Sequence, residues 1–163
     1  MRNLTAVFCL AVALLMGSVG TSWSGDYQKG WTAYQRGDYA TAIREWTPLA
    51  KQGDAVTQFS LGLAYVAGDD VKKGYKAAVR WWKLAAKQGL SMAQYRLALA
   101  YVQGLGVPKD DVLAYAWLNI AAGNGDEVAS VTRDSLAKQM TSDDVAKAQQ
   151  LARECVRKSY KGC

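Results

Sequence analysis

Apolar and polar residues along this chain follow helical spacing, and the chain writes the same pattern twice. In SMAQYRLALAYVQG, residues 91–104, the side chains of Gln94, Leu97, Ala98 and Tyr101 fall at i, i+3, i+4 and i+7, one face of a helix. Ala78, Trp82 and Ala85/Ala86 mark the matching face of a partner helix. The stretches KQGDAVTQFSLGLAYVAG (51–68) and KQGLSMAQYRLALAYVQG (87–104) share ten of eighteen positions without a gap, at an offset of 36 residues. The offset continues outside them: Ala42, Ala78 and Ala114 form one series, Trp46, Trp82 and Leu118 a second, and Gly53, Gly89 and Gly125 a third. A fixed period of this size is the mark of stacked helical repeats. The glycine series sits where a helix must stop and the chain reverse. The link GLGVPKDD (104–111) carries two glycines and a proline and cannot continue the helix before it.

The pattern predicts helices over about 26–36, 39–51, 55–67, 75–87, 91–103, 111–122, 127–139 and 143–158, arranged as antiparallel pairs that stack on one another. Thr141 opens TSDD, a capping box with Asp in place of Glu, ahead of the last of these.

The N-terminus falls outside this pattern. Arg2 precedes an apolar run from Leu4 to Met16, which gives way to small residues, the order of a secretory signal peptide. The run is shorter than the roughly 20 apolar residues of a membrane span. Residues 1–24 are therefore expected to be removed, with cleavage before Gly25 or at a second site offered by Ser18 and Gly20, leaving a single repeat domain over 25–163 and no stable membrane span; the alternative is an uncleaved anchor. The expected location is periplasmic or secreted.

Composition then narrows the chemistry. The formal net charge is +6, and Arg2 is the one basic residue before position 25, so the remainder carries +5, spread rather than blocked. With no recognition motif, nucleic acid is not an expected partner. Histidine is absent, which removes Ser-His-Asp and Cys-His catalysis and His-containing zinc sites. Two cysteines follow the leader, Cys155 and Cys163, and an even number in an exported chain reads as a disulfide, here one that pins the C-terminal tail to the last helix. The carboxylate pairs Asp69-Asp70, Asp110-Asp111, Asp126-Glu127 and Asp143-Asp144 fall in loops or at helix starts, where acids complement the helix dipole. Ser135 and Lys138 have the SxxK spacing, but its companion motifs SDN and KTG do not occur. No catalytic residue, metal site or cofactor is expected.

LGLAYVAGDDVKKGYKAAVRWWKLAAKQG and LALAYVQGLGVPKDDVLAYAWLNIAAGNG resemble Sel1-like repeats, relatives of the tetratricopeptide repeat. The first departs from the family pattern where Asp69-Asp70 replaces the loop glycine and Gly74 the aspartate. Upstream, GWTAYQRGDYATAIREWTPLAKQGD resembles a plain tetratricopeptide unit, shorter by five residues between its helices. Downstream, RDSLAKQMTSDDVAKAQQLAREC resembles a closing helix pair. The resemblance implies a right-handed α-solenoid of about four pairs: a first unit over about 26–53, Sel1-like repeats over 54–89 and 90–125, and the closing pair with its bridged tail over 126–163.

If the tetratricopeptide register transfers, the first helix of each pair lines the inner face. The inward positions are then Tyr27, Trp31 and Tyr34, followed by Phe59 and Leu63, and by Tyr95, Leu99 and Gln103. They form an apolar, aromatic stripe of the kind that marks a binding groove, or else they pack against the next repeat. Lys76, Arg80, Lys83 and Lys87 follow one face of an outer helix, either as a solvated face or as a dock for an acidic partner. The reading is an exported protein–protein interaction module, an adaptor or regulator in the cell envelope whose partner is another envelope or secreted protein. Two alternatives are a ligand-binding protein or weak hydrolase for cell-wall or β-lactam substrates, as the resemblance to cysteine-rich relatives implies, and a structural subunit of an envelope complex.

Overall fold

Short capped helices alternate with glycine turns along the whole of the computed structural model, which describes residues 26–68 and 71–163, with the backbone alone at 71–73. The helices are α1 (26–35), α2 (Tyr39–Lys51), α3 (Ala55–Ala67), α4 (Val71–Ala86), α5 (Ser91–Gln103), α6 (Asp111–Gly123), α7 (Glu127–Ala137) and α8 (Ser142–Arg157). No strand occurs among the described residues, and the chain is an all-α solenoid of helix pairs. The expected leader, 1–24, and the Asp69-Asp70 loop lie outside the described residues.

Side-chain caps start most of these helices. Asp38, Asp54, Asp110 and Asp126 each accept a hydrogen bond from the amide three residues on, filling one of the donors a helix start leaves unpaired. Thr141 accepts from the Asp144 amide at 3.1 Å, while its own hydroxyl donates to the Asp144 carboxylate, so this box closes through the side chain rather than the backbone amide of Thr141. In the 36-residue register Leu90 takes the place of Asp54 and Asp126, and α5 begins without a side-chain cap. The turn glycines Gly53, Gly89 and Gly125 all have positive φ, at 103°, 87° and 91°. That left-handed backbone lets the chain leave each second helix and enter the next first helix.

The helix bounds follow the sequence pattern except at α4, which begins at Val71, four residues before the expected start. Gly74 looks like a breaker in the sequence. In the fold it is the contact that seats α4 on the end of α3, since a Cβ there would overlap the Tyr65 carbonyl.

The indoles lock each pair. Trp46 Nε1 donates to the Tyr27 carbonyl at 3.1 Å, and Trp82 Nε1 to the Phe59 carbonyl at 3.2 Å. Each ring lies on a glycine, Gly30 or Gly62, where any Cβ would collide with it. In the next pair the same two places hold Ala98 and Leu118, both fully buried, so a larger floor meets a smaller cap. Gly30 and Trp46 are 16 residues apart and Gly62 and Trp82 are 20 apart, so the first unit is shorter by four residues, not the five expected.

Two apolar cores result. The smaller surrounds Trp46 with Ala42, Leu49, Ala50, Leu61 and Ala64. The larger runs from Val79 and Trp82 through Leu97, Trp117 and Leu118 to Ala148 and Cys155. Tyr65 packs against both. The last helix, α8, packs on α6, which also carries α7. The sulfurs of Cys155 and Cys163 are 2.02 Å apart, a disulfide, and it holds the tail against α8.

Candidate functional site: the two solvent faces of the helix stack

Two of the first helices carry almost no charge: α3 has no charged side chain and α5 has only Arg96, whereas α7 carries Glu127, Arg133 and Asp134. What α3 and α5 present instead is apolar. Val56, Met92 and Val128 occupy one repeat position, 36 residues apart, and all three are exposed large hydrophobics. Three residues along each helix lie Phe59, Tyr95 and Val131, and four further on lie Leu63, Leu99 and Ser135. The spacing i, i+3, i+7 places each set on one helix face.

The structure treats the expected groove residues unequally. Trp31, 37% exposed, is the most open of the apolar ones and stacks on Tyr34. Tyr27 and Tyr34 are half-buried around Trp46, and Tyr27 hydrogen-bonds Ser60 at 3.0 Å, tying the first unit to the second. Phe59 is only 9% exposed and belongs to the larger core. Leu63, Tyr95 and Leu99 are half-buried, and Gln103 is exposed. Val56, Met92, Val128 and Val131 escaped the sequence reading. Their signal was present, a bulky apolar residue as the second residue of three successive first helices, but it lies outside the tetratricopeptide register.

Positive charge gathers on one second helix, α4. Helix α4 has no acid at all, and Lys76, Arg80 and Lys87 project to solvent, with Lys83 half-buried. Positions 76, 80, 83 and 87 share one helix face, and the side chains lean to different grooves. Lys83 Nζ lies 5.5 Å from the centroid of the Tyr101 ring of α5, a cation–π contact. Arg80 leans into the groove between α2 and α4, with Thr47, Lys51, Tyr65, Ala77, Trp81 and Leu84. A comparable groove between α6 and α8 has an apolar floor of Ile120, Ala152 and Val156 and is rimmed by Arg153 and Arg157.

Among the described residues the one displaced carboxyl is Asp38, held below its ordinary value by the hydrogen bond from the Thr41 amide, which is a capping effect. Among the described residues no cluster of three or more His, Cys, Asp or Glu is placed to hold a metal, and no helix is long and apolar enough to cross a membrane.

The helix pairs, their indole locks and their glycine turns define a helical-repeat protein of the solenoid class. The Sel1 repeat family model matches residues 55–90 and 91–126, so the chain carries two Sel1 repeats. Among solved structures it is similar to a protective antigen present in uropathogenic Escherichia coli strains, which displays an SLR fold. The identity is 28%, the TM-score 0.75, and the match covers 84% of this chain and 31% of that one. It is also similar to a Sel1 repeat protein from Oxalobacter formigenes, with 36% identity and a TM-score of 0.54 over 60% of this chain and 28% of that one. The chain thus spans about a third of the length of either neighbour. No protein of curated function matches it. Sel1 repeats point to a protein–protein interaction module, and the fold is typically non-catalytic.

Proposed function

We propose that this protein is an exported, non-enzymatic interaction module of the bacterial cell envelope, which binds a segment of another envelope or secreted protein across the first helices of its repeats. The observation that carries the reading is the apolar surface of α3 and α5, whose one charged side chain is Arg96, continued by Val128 and Val131 of α7 beside Glu127 and Asp134. Val56, Met92, Val128 and Val131 are exposed there without a covering element, and Trp31, Leu63, Tyr95 and Leu99 extend the same surface. Exposed apolar residues in register across three helices are costly in water, and a partner segment repays that cost on binding. Aromatic side chains supply most of the energy at such surfaces. Placement outside the cytoplasm rests on the Cys155–Cys163 bridge, on the similarity to a bacterial antigen and on the N-terminal leader pattern.

The test is affinity capture from envelope extract with the wild-type chain beside Trp31→Ala/Tyr95→Ala and Met92→Glu/Val131→Glu. A partner recovered by wild type and lost from both folded variants supports the reading. Equal recovery by all three would move binding off this face.

A further inference from the structure

Consecutive repeats build the same groove between their second helices, and only one copy is filled. Between α4 and α6 the Tyr101 ring is covered by Lys83, and the α6 residues Leu113, Trp117 and Ile120 are packed into or against the larger core. Moving back 36 residues gives Tyr65, Thr47, Ala77, Trp81 and Leu84, which line the groove between α2 and α4. Two of these positions have shrunk: Thr47 stands for Lys83 and Ala77 for Leu113. Neither side chain reaches over the ring. Leu84 is 47% exposed where its counterpart Ile120, which also meets Ala152 and Val156 of α8, is 4%, and Trp81 and Tyr65 are half-exposed where Trp117 and Tyr101 are buried. A recess of about 400 Å³ remains, with an aromatic and aliphatic floor and Lys51 and Arg80 on its rim. Neither cation has a described carboxylate within ion-pair distance.

We infer that this open groove is a second binding site, on the outer face, for an extended peptide segment of a partner in which a bulky apolar side chain is flanked by carboxylates. The apolar side chain lies on Tyr65, Trp81 and Leu84, replacing the contacts that Lys83 and Leu113 make in the next repeat. The flanking carboxylates meet Lys51 and Arg80, and Lys83 and Lys87 continue the positive potential along an acid-free helix. From Lys76 to Lys87 the helix rises about 16 Å, which about five extended residues span. That length favours a peptide over a compact ligand. The concave shape favours it over a bilayer, because side-chain and ligand sites are recesses with apolar floors and a few polar groups at the rim.

The site is distinct from the apolar face of the first helices, and its test separates the two. The full-length, disulfide-bonded chain is exposed to a library of nonapeptides with Leu, Phe or Trp at the centre, flanked by Asp/Glu or by Lys/Arg. Acidic members should be enriched at least tenfold over basic ones, with an enrichment that falls as salt rises. Thr47→Lys/Ala77→Leu, which copies the filled groove, should remove the enrichment and melt no lower than wild type. Arg80→Glu should reverse the charge preference, and Leu84→Ser, at an exposed position, should weaken enrichment with folding intact. Trp31→Ala/Tyr95→Ala should leave it unchanged. The inference is overturned if no acidic preference is seen, if it survives Thr47→Lys/Ala77→Leu and Leu84→Ser, or if it disappears in Trp31→Ala/Tyr95→Ala. Binding of phosphatidylglycerol vesicles without peptide enrichment would also overturn it and assign the face to a membrane.

Discussion

Asn124 donates a 2.9 Å hydrogen bond from Nδ2 to the Oε1 of Gln94, a side chain with no solvent exposure. Gln94 in turn donates to the Ala86 carbonyl at 3.0 Å. One repeat earlier, Gln88 donates to Gln58 at 2.9 Å and Gln58 to the Ala50 carbonyl at 3.0 Å. Each buried amide therefore joins the end of one pair to the turn that closes the next. Removing it leaves a void and takes one hydrogen bond from a carbonyl that the turn glycine, Gly53 or Gly89, still holds through its amide. Gln94→Ala should lower stability by about 2–4 kcal/mol, and Gln58→Ala, slightly less buried, by somewhat less. Chemical denaturation with an unchanged m-value checks both. A loss below about 1 kcal/mol at Gln94 would mean that water replaces the amide.

The indole lock predicts a coupled pair. Gly62→Ala drives a methyl group into the Trp82 ring, and overpacking of this sort costs about 1–3 kcal/mol. Trp82→Leu alone leaves a cavity and removes the indole hydrogen bond to the Phe59 carbonyl, at about 3 kcal/mol or more. Together they recreate the Ala98–Leu118 arrangement of the next pair. The double variant should be more stable than the sum of the two losses predicts, by at least about 1 kcal/mol in a double-mutant cycle. Additive losses would show that the exchange is not local to these two residues.

The disulfide predicts a tail that lets go. Beyond α8 the chain turns back, and the Tyr160 hydroxyl comes within 3.3 Å of Asn124 Nδ2 while its ring approaches Gly89. Loss of the eight-residue bridge, by reduction or Cys163→Ser, should cost about 2–3 kcal/mol in the chain-entropy account. Helix content should be nearly unchanged, and the amide of Asn124 should exchange faster, as followed by hydrogen exchange in both redox states. An unchanged melting temperature would argue that the tail adds nothing to the repeat end.

Acid should weaken one cap specifically. The Thr41 amide holds the Asp38 carboxyl below its ordinary 3.8, so the ionised form is favoured in the folded protein. The cap's contribution is therefore present above that value and is lost as pH falls through the lower, folded-state pKa. The Thr41 amide shift, followed by NMR, should titrate with a midpoint below 3.8, and Asp38→Asn should abolish the transition while α2 persists. A midpoint at or above 3.8 would remove the capping account.

The period of 36, the helix starts at Asp38, Asp54 and Asp126, and the glycine turns are all legible in the sequence, because each depends on residues within a few positions of one another. The single misplaced helix start, at α4, has the same lesson in reverse: Gly74 breaks a helix by its own propensity, and only the nearby Tyr65 carbonyl explains why it sits inside one.

Exposure was decided elsewhere. Phe59 and Tyr95 share one repeat position, yet the first is core and the second is half-exposed. Tyr65 and Tyr101 share another, and one floors an open groove while the other lies under Lys83. Helical periodicity says which face of a helix a residue lies on, and that much the sequence by itself determined for this protein. Whether the face is covered depends on the volume of side chains on neighbouring helices, some 18 residues away at Thr47 and Lys83, and only the stacked tertiary structure sets those volumes against each other.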